Sequence, residues 1–147
     1  KVIVHYLWKK YPFKTMFFKD VPILEGRWIG ELTSDHPNSK PLKTVLEIDQ
    51  SLTKVKVFMY FEDSWSHSTV SAFVVEKDRR HVLYYHYLNL VSSISNKIMY
   101  HHQGTAVLEL QQDMNKIIGY YFNSPTQRQT SGHFNVKYKG NKLLKRF

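Results

Sequence analysis

The chain contains no cysteine, so neither a disulfide framework nor thiolate chemistry is open to it, a composition that fits a reducing cytosol. Acidic residues are scarce: 12 Asp and Glu stand against 21 Lys and Arg in 147 residues. They are scattered, and no carboxylate pair stands out as the acid and base of a glycosidase. Long hydrophobic runs are absent too, because Lys, Asp, Glu or His interrupts each one before the roughly 18 residues that a membrane-crossing helix needs. The opening Lys1-Val2-Ile3-Val4 has no charged leader followed by an apolar stretch and a small-residue cleavage site. The expectation is that a natural N-terminal portion precedes it. No phosphate-cradling GxxxxGK[ST] loop, GxSxG elbow or HExxH helix occurs, which argues against an enzyme. Eight histidines are present, but neighbours such as His101 and His102 project to opposite faces of a strand, as do His81 and His86, so neither pair chelates a metal from one strand.

What is there folds. Hydrophobic residues make up 42% of the chain and aromatics 15%, a composition that supports one core in a chain of single-domain length. Apolar residues alternate with period two: Val55, Val57, Met59 and Phe61; Ala106, Leu108 and Leu110; Phe134, Val136 and Tyr138. Half-buried strands carry this pattern. Turn-forming clusters separate them, among them Ser34 to Pro41, Asp49-Gln50-Ser51, Lys77 to Arg80, Asp113-Met114-Asn115 and Asn123-Ser124-Pro125. The runs lie near 26–32, 44–49, 54–61, 66–76, 82–90, 97–110, 117–123 and 132–138, about eight strands, the number that closes a barrel around side chains or one small ligand. The fold expected is all-β, a compact antiparallel eight-stranded barrel. The only plausible helix lies before residue 20, where Pro12 interrupts a loose amphipathic pattern.

The formal net charge of +9 draws polyanions and anionic headgroups through its long-range field. Within the strands, Ser64, Ser66 and Ser68 share one face and Trp65 and His67 the other, so an interior there carries hydroxyls or a mixed aromatic lining. The plainer reading is a loop or an edge strand. Tyr85 and Tyr87 share a face opposite Tyr84 and His86; tyrosine rings stack on bases but also fill barrel walls. Arg128, in the polar connector Thr126 to Gly132, has the planar fork of donors that grips a phosphate, and Arg27 is a second candidate with strand pairing as the alternative.

The ordered series Gly26-Arg27-Trp28-Ile29-Gly30, Ile48-Asp49-Gln50, the Ser64, Ser66, Ser68 alternation, Leu83 to Asn89, His102 to Leu108, Gly119-Tyr120-Tyr121-Phe122 and Arg128 to Gly132 resembles a known family. It is the β-barrel domain of the two-transmembrane, SMODS-associating β-strand-rich effectors of bacterial cyclic-oligonucleotide-based antiphage signalling. The resemblance implies a distantly lipocalin-like barrel that senses a cyclic dinucleotide made by a partner nucleotidyltransferase after phage infection. Ligand binding then promotes self-association, and two N-terminal membrane helices, which this chain lacks, disrupt the inner membrane. It implies a full-length protein at the bacterial inner membrane with this domain in the cytoplasm, no cofactor and no DNA partner. Residues 1–20 are expected to form a basic, aromatic stalk after a removed membrane region, and 21–147 the barrel. On this reading Arg128 and Arg27 face phosphates, and Tyr85, Tyr87 and Tyr121 present rings to bases. Ser66, Ser68, Thr130 and His102 offer hydrogen bonds. Trp28 is a barrel-end plug first, like the GxW tryptophan of lipocalins, and a stacking surface second. Two other readings stay open: a calycin-type barrel for a lipid or small hydrophobe, and a single-stranded RNA binder.

Overall fold

Eight strands form where the alternation runs, in a computed structural model that describes residues 6–91, 102–124 and 130–147. They are β1 (Gly26–Ser34), β2 (Leu42–Gln50), β3 (Val55–Tyr60), β4 (Ser64–Val75), β5 (His81–Val91), β6 (His102–Leu110), β7 (Lys116–Asn123) and β8 (Ser131–Gly140). Each pairs antiparallel with the next, and β1 pairs with β8 through Leu32 opposite Phe134, closing the barrel. Closure leaves the sheet as a whole without an open side, the usual way an all-β chain avoids edge pairing. The sixth expected strand began at residue 97; its part before His102 lies outside the described residues.

Short connections obey local chemistry. The β2–β3 turn is held by Ser51 N donating to Lys54 O at 2.8 Å while Ser51 Oγ accepts from Lys54 N at 3.1 Å. At the β6–β7 turn Asp113 Oδ1 accepts from Asn115 N at 3.1 Å and Met114 takes a φ of 58°. These hairpin tips, with β4–β5, mark one end of the barrel. The strand ends that lead into the connections β1–β2, β3–β4, β5–β6 and β7–β8 mark the other.

The inward face packs Trp28, Leu46, Ile48, Val57, Leu83, Leu108, Ile117, Phe134 and Val136 into one core. Trp28 is 1% exposed, its ring lies edge-on to Tyr138 at 5.1 Å between centroids, and its Nε1 donates to Leu24 O at 3.1 Å. Gln50 secures the same segment, accepting from Leu24 N at 2.7 Å and donating to Pro22 O at 3.0 Å. The tryptophan and residues 22–24 thus plug the end that carries the β2–β3 tip. Before the barrel, a 3-10 turn (Leu7–Lys9) and α1 (Phe13–Phe17) bury Trp8 against Phe18, and Lys9 pairs with Glu25. Among the described residues no helix is long and apolar enough to cross a membrane.

One seam departs from the regular ladder. Backbone pairing of β3 with β4 covers only Phe58, Met59 and Tyr60 against His67, Ser66 and Trp65. Beyond it side chains bridge the strands: Ser68 Oγ accepts from Val57 N at 3.0 Å, and the Ser71 hydroxyl donates to the Val55 carbonyl. A bulge between Ser68 and Val70 changes the phase of β4, as an extra residue must. Ser64 and Ser66 therefore face inward above it, and Phe73, not Val74, packs against the core below.

Candidate functional site

Above the packed layer the barrel holds a cavity of about 320 Å³, at the lower end of the roughly 300–1,000 Å³ range of small-molecule sites. It lies toward the end opposite the Trp28 plug, since Ser34, Leu42, Phe61, Glu62, Asp63, His102, Asn123 and Thr130, which flank the four connections there, all line it. Its floor and walls are aromatic and aliphatic: Tyr85, Tyr87, Tyr121, Phe134, Leu32 and Met59.

The tyrosines keep their places because glycine stands opposite them. Tyr87 pairs with Gly104 and Tyr121 with Gly132. A Cβ on Gly104 would stand 2.5 Å from the Tyr87 hydroxyl, and one on Gly132 would stand 2.7 Å from Tyr121 Cε1. Both rings therefore lie across bare backbone of the neighbouring strand. Tyr85 and Tyr87 rings stand 6.1 Å apart, tilted by 53°. Burial pushes both phenols well above the ordinary tyrosine range, with each ring's tyrosine neighbour adding to the effect. They are neutral donors at any physiological pH. Tyr87 donates to Asn123 Oδ1 at 2.5 Å, and Asn123 Nδ2 donates to Thr130 Oγ1 at 2.5 Å, a chain that runs from the wall to the mouth.

A polar rung crosses the wall one step closer to the mouth. Ser66 pairs with Asn89, and Asn89 pairs with His102, so a hydroxyl, an amide and an imidazole stand side by side on the inner face. Asn89 is only 7% exposed, yet its Oδ1 has no hydrogen-bond partner among the described residues. Charge in the described lining is confined to two carboxylates, Glu62 and Asp63, at the β3–β4 turn.

Of the residues singled out in the sequence, Tyr85, Tyr87, Tyr121, Ser66, His102 and Thr130 come together around this cavity. Three do not. Arg27 is on the outer wall, opposite Glu47 on β2. Its guanidinium donates to Glu47 Oε1 at 2.6 Å and to Arg146 O at 2.7 Å, under a C-terminal segment whose Leu144 N and Lys145 N also donate to Glu47. The alternation places Arg27 outward because Trp28, its neighbour, faces in. Ser68 has its hydroxyl committed to the β3–β4 seam, and Trp28 belongs to the plug. Arg128 lies outside the described residues, two positions along the chain from Thr130. The sequence reading missed Asn89, Asn123, Glu62 and Asp63. Asn89 shares parity with Tyr85 and Tyr87, and Asn123 with Tyr121, so period two alone put each on the same face as those rings.

A second cavity of about 570 Å³ lies along the β3–β4 seam, lined by Val21, residues 50–56, 68–71 and Phe73. It is larger, but four of its hydroxyls are committed: Ser51 to the turn, Ser68 and Ser71 to β3, Thr69 to His86 Nδ1 at 2.8 Å. Pooled rings and an unanswered acceptor, not volume, distinguish the first. Among the described residues no three of His, Cys, Asp and Glu gather as metal ligands would.

No curated protein matches the chain. A family model does, that of "Cap15, cyclic dinucleotide receptor domain", over residues 19–138. The match runs from ahead of the plug through β1 to Tyr138 in β8 and includes every residue that lines the 320 Å³ cavity. A closed eight-stranded barrel with an aromatic, hydroxyl-bearing cavity at one end, matched over this span, belongs to the Cap15 cyclic dinucleotide receptor domain family.

Proposed function

We propose that this domain senses a cyclic dinucleotide held at the cavity between the Tyr85–Tyr87–Tyr121 rings and the mouth. The observation that carries the reading is the convergence there of three rings with Ser66, Asn89, His102, Asn123 and Thr130, flat surfaces for bases beside donors and acceptors for their edges. Arg128, two positions before Thr130 in the chain, is the residue to serve the phosphates, since a guanidinium fork matches two phosphate oxygens. The net charge of +9 supports capture of a dianionic ligand from a distance.

In a full-length protein the consequence of binding is self-association and, through an N-terminal membrane region, disruption of the bacterial inner membrane. The resemblance to two-transmembrane antiphage effectors supports this. So does the outer face of β4: Val70, Val74 and Val75 are exposed, and no residue from Ser64 to Val75 carries Lys, Arg, Asp or Glu. An uncharged face with exposed apolar side chains is where copies of a chain meet.

Isothermal titration calorimetry against a panel of cyclic dinucleotides tests the sensing role. Binding of at least one member, weakened about 5- to 100-fold by Arg128→Ala as loss of a charge-assisted bond predicts, is the expected result. A co-purified fatty ligand with no cyclic dinucleotide affinity would select the lipid-binding alternative instead.

A further inference from the structure

The cavity's polar groups are unevenly distributed, and the unevenness orients the ligand. On the β3–β6 side stand the Ser66–Asn89–His102 rung and, at the rim above it, Glu62 and Asp63. Two carboxylates repel a phosphate and accept from N–H groups. Asn89 contributes the sharper clue. Its Oδ1 is buried without a partner among the described residues, a condition that costs folding free energy and persists in native proteins at sites that answer it with something else. Packing gives no reason for an amide here, because Leu83, Tyr85 and Tyr87 show that β5 fills its inner face with apolar and aromatic groups elsewhere.

We infer that Asn89 is the specificity-determining residue of the site, reading the hydrogen-bonding edge of one nucleobase from the β3–β6 side, with the ligand's phosphates turned toward the opposite side, where Thr130 lies. This rests on the cyclic dinucleotide reading and deepens it. The base it selects offers an N–H donor to Oδ1. The carboxamide presents an acceptor and a donor side by side, and a base edge that alternates the two satisfies both. Ser66, next to it on β4, adjusts to either polarity because a hydroxyl donates and accepts.

The test is calorimetric titration of the wild-type chain, Asn89→Ala and Asn89→Leu with the same panel of cyclic dinucleotides, alongside thermal melts without ligand. The expected result is that both variants weaken the best wild-type ligand about 10- to 100-fold, as loss of a paired base edge does. Ligands lacking the preferred base should lose less than about 3-fold, so that the panel's ranking flattens. Asn89→Leu is expected to melt no lower than wild type, since it removes a buried acceptor that the protein leaves unanswered. An equal loss for every ligand, or none, overturns the reading role while leaving cyclic dinucleotide sensing in place. A lower melting temperature for Asn89→Leu with the ranking intact assigns Asn89 to structure and also overturns it. Failure of the wild type to bind any member of the panel removes the sensing reading and this inference with it.

Discussion

Tyr85 and Tyr87 carry their phenols into a layer where ionisation would place charge without water. Their folded pKa values stand above the ordinary 10.0, so the stability this burial represents is fully present below pH 10 and is lost as the pH rises toward the folded values. A spectrophotometric titration should show the exposed tyrosines ionising first, with these two appearing only as the barrel unfolds in alkali; simple co-titration of all ten tyrosines would contradict their placement. Arg27 offers the opposite case. Removing it by Arg27→Ala leaves Glu47, 1% exposed, without its cation, and breaking a buried pair in this way costs about 3 kcal/mol. Chemical denaturation should show that loss while cyclic dinucleotide affinity stays unchanged. As a phosphate ligand Arg27 would give the reverse. Its alternative reading as a strand-pairing residue is the one the geometry supports, through Glu47 directly opposite on β2.

Within the strands, glycine and aromatic positions work as cross-strand pairs. Gly104 beneath Tyr87, Gly119 beneath Phe134 and Gly132 beneath Tyr121 let bulky rings lie along the barrel wall. Gly132→Ala puts a Cβ 2.3 Å from the Thr33 carbonyl oxygen and 2.7 Å from the Tyr121 ring. Overpacking of this kind costs about 1–3 kcal/mol. It should also shift Tyr121 and weaken ligand binding, so a variant that melts normally and binds normally would show that the ring's position is immaterial. Strand β4 carries the second element-level expectation. A charge on its outer face, Val74→Lys, should reduce the proposed ligand-promoted association in sedimentation velocity without lowering affinity, because a charge resists burial in an apolar contact between copies. The bulge past Ser68 is the reason regular alternation does not carry through this strand. One extra residue moved Ser71 and Phe73, rather than Val70 and Val74, to the inner phase.

Taken as one body, the barrel is a basic vessel with a plugged end and a cavity toward the other, and its field acts before its cavity does. With a net charge of +9 against a dianionic ligand, the association rate in stopped flow should fall as salt rises from low to physiological levels, while dissociation changes little. A salt-insensitive association rate would mean that the local carboxylates Glu62 and Asp63 cancel the global field at the mouth. Much of this was legible along the chain. Period-two alternation with turn clusters at regular spacing named eight strands, because a strand's faces repeat every two residues regardless of which neighbour it finds. The same parity put Tyr85 and Tyr87 on one face, and could have placed Asn89 beside them and Asn123 beside Tyr121. The strand count pointed to a closed barrel, and the pairing of β1 with β8 bears it out; the register of that closure was beyond reach, since it joins residues about a hundred positions apart and leaves no local mark. So was the division of the interior into a packed end and a cavity end, which arises from side chains of all eight strands meeting at one level of the barrel. Alternation says which face a residue takes; how high it stands and what stands opposite depend on register, and register exists only once the sheet has closed.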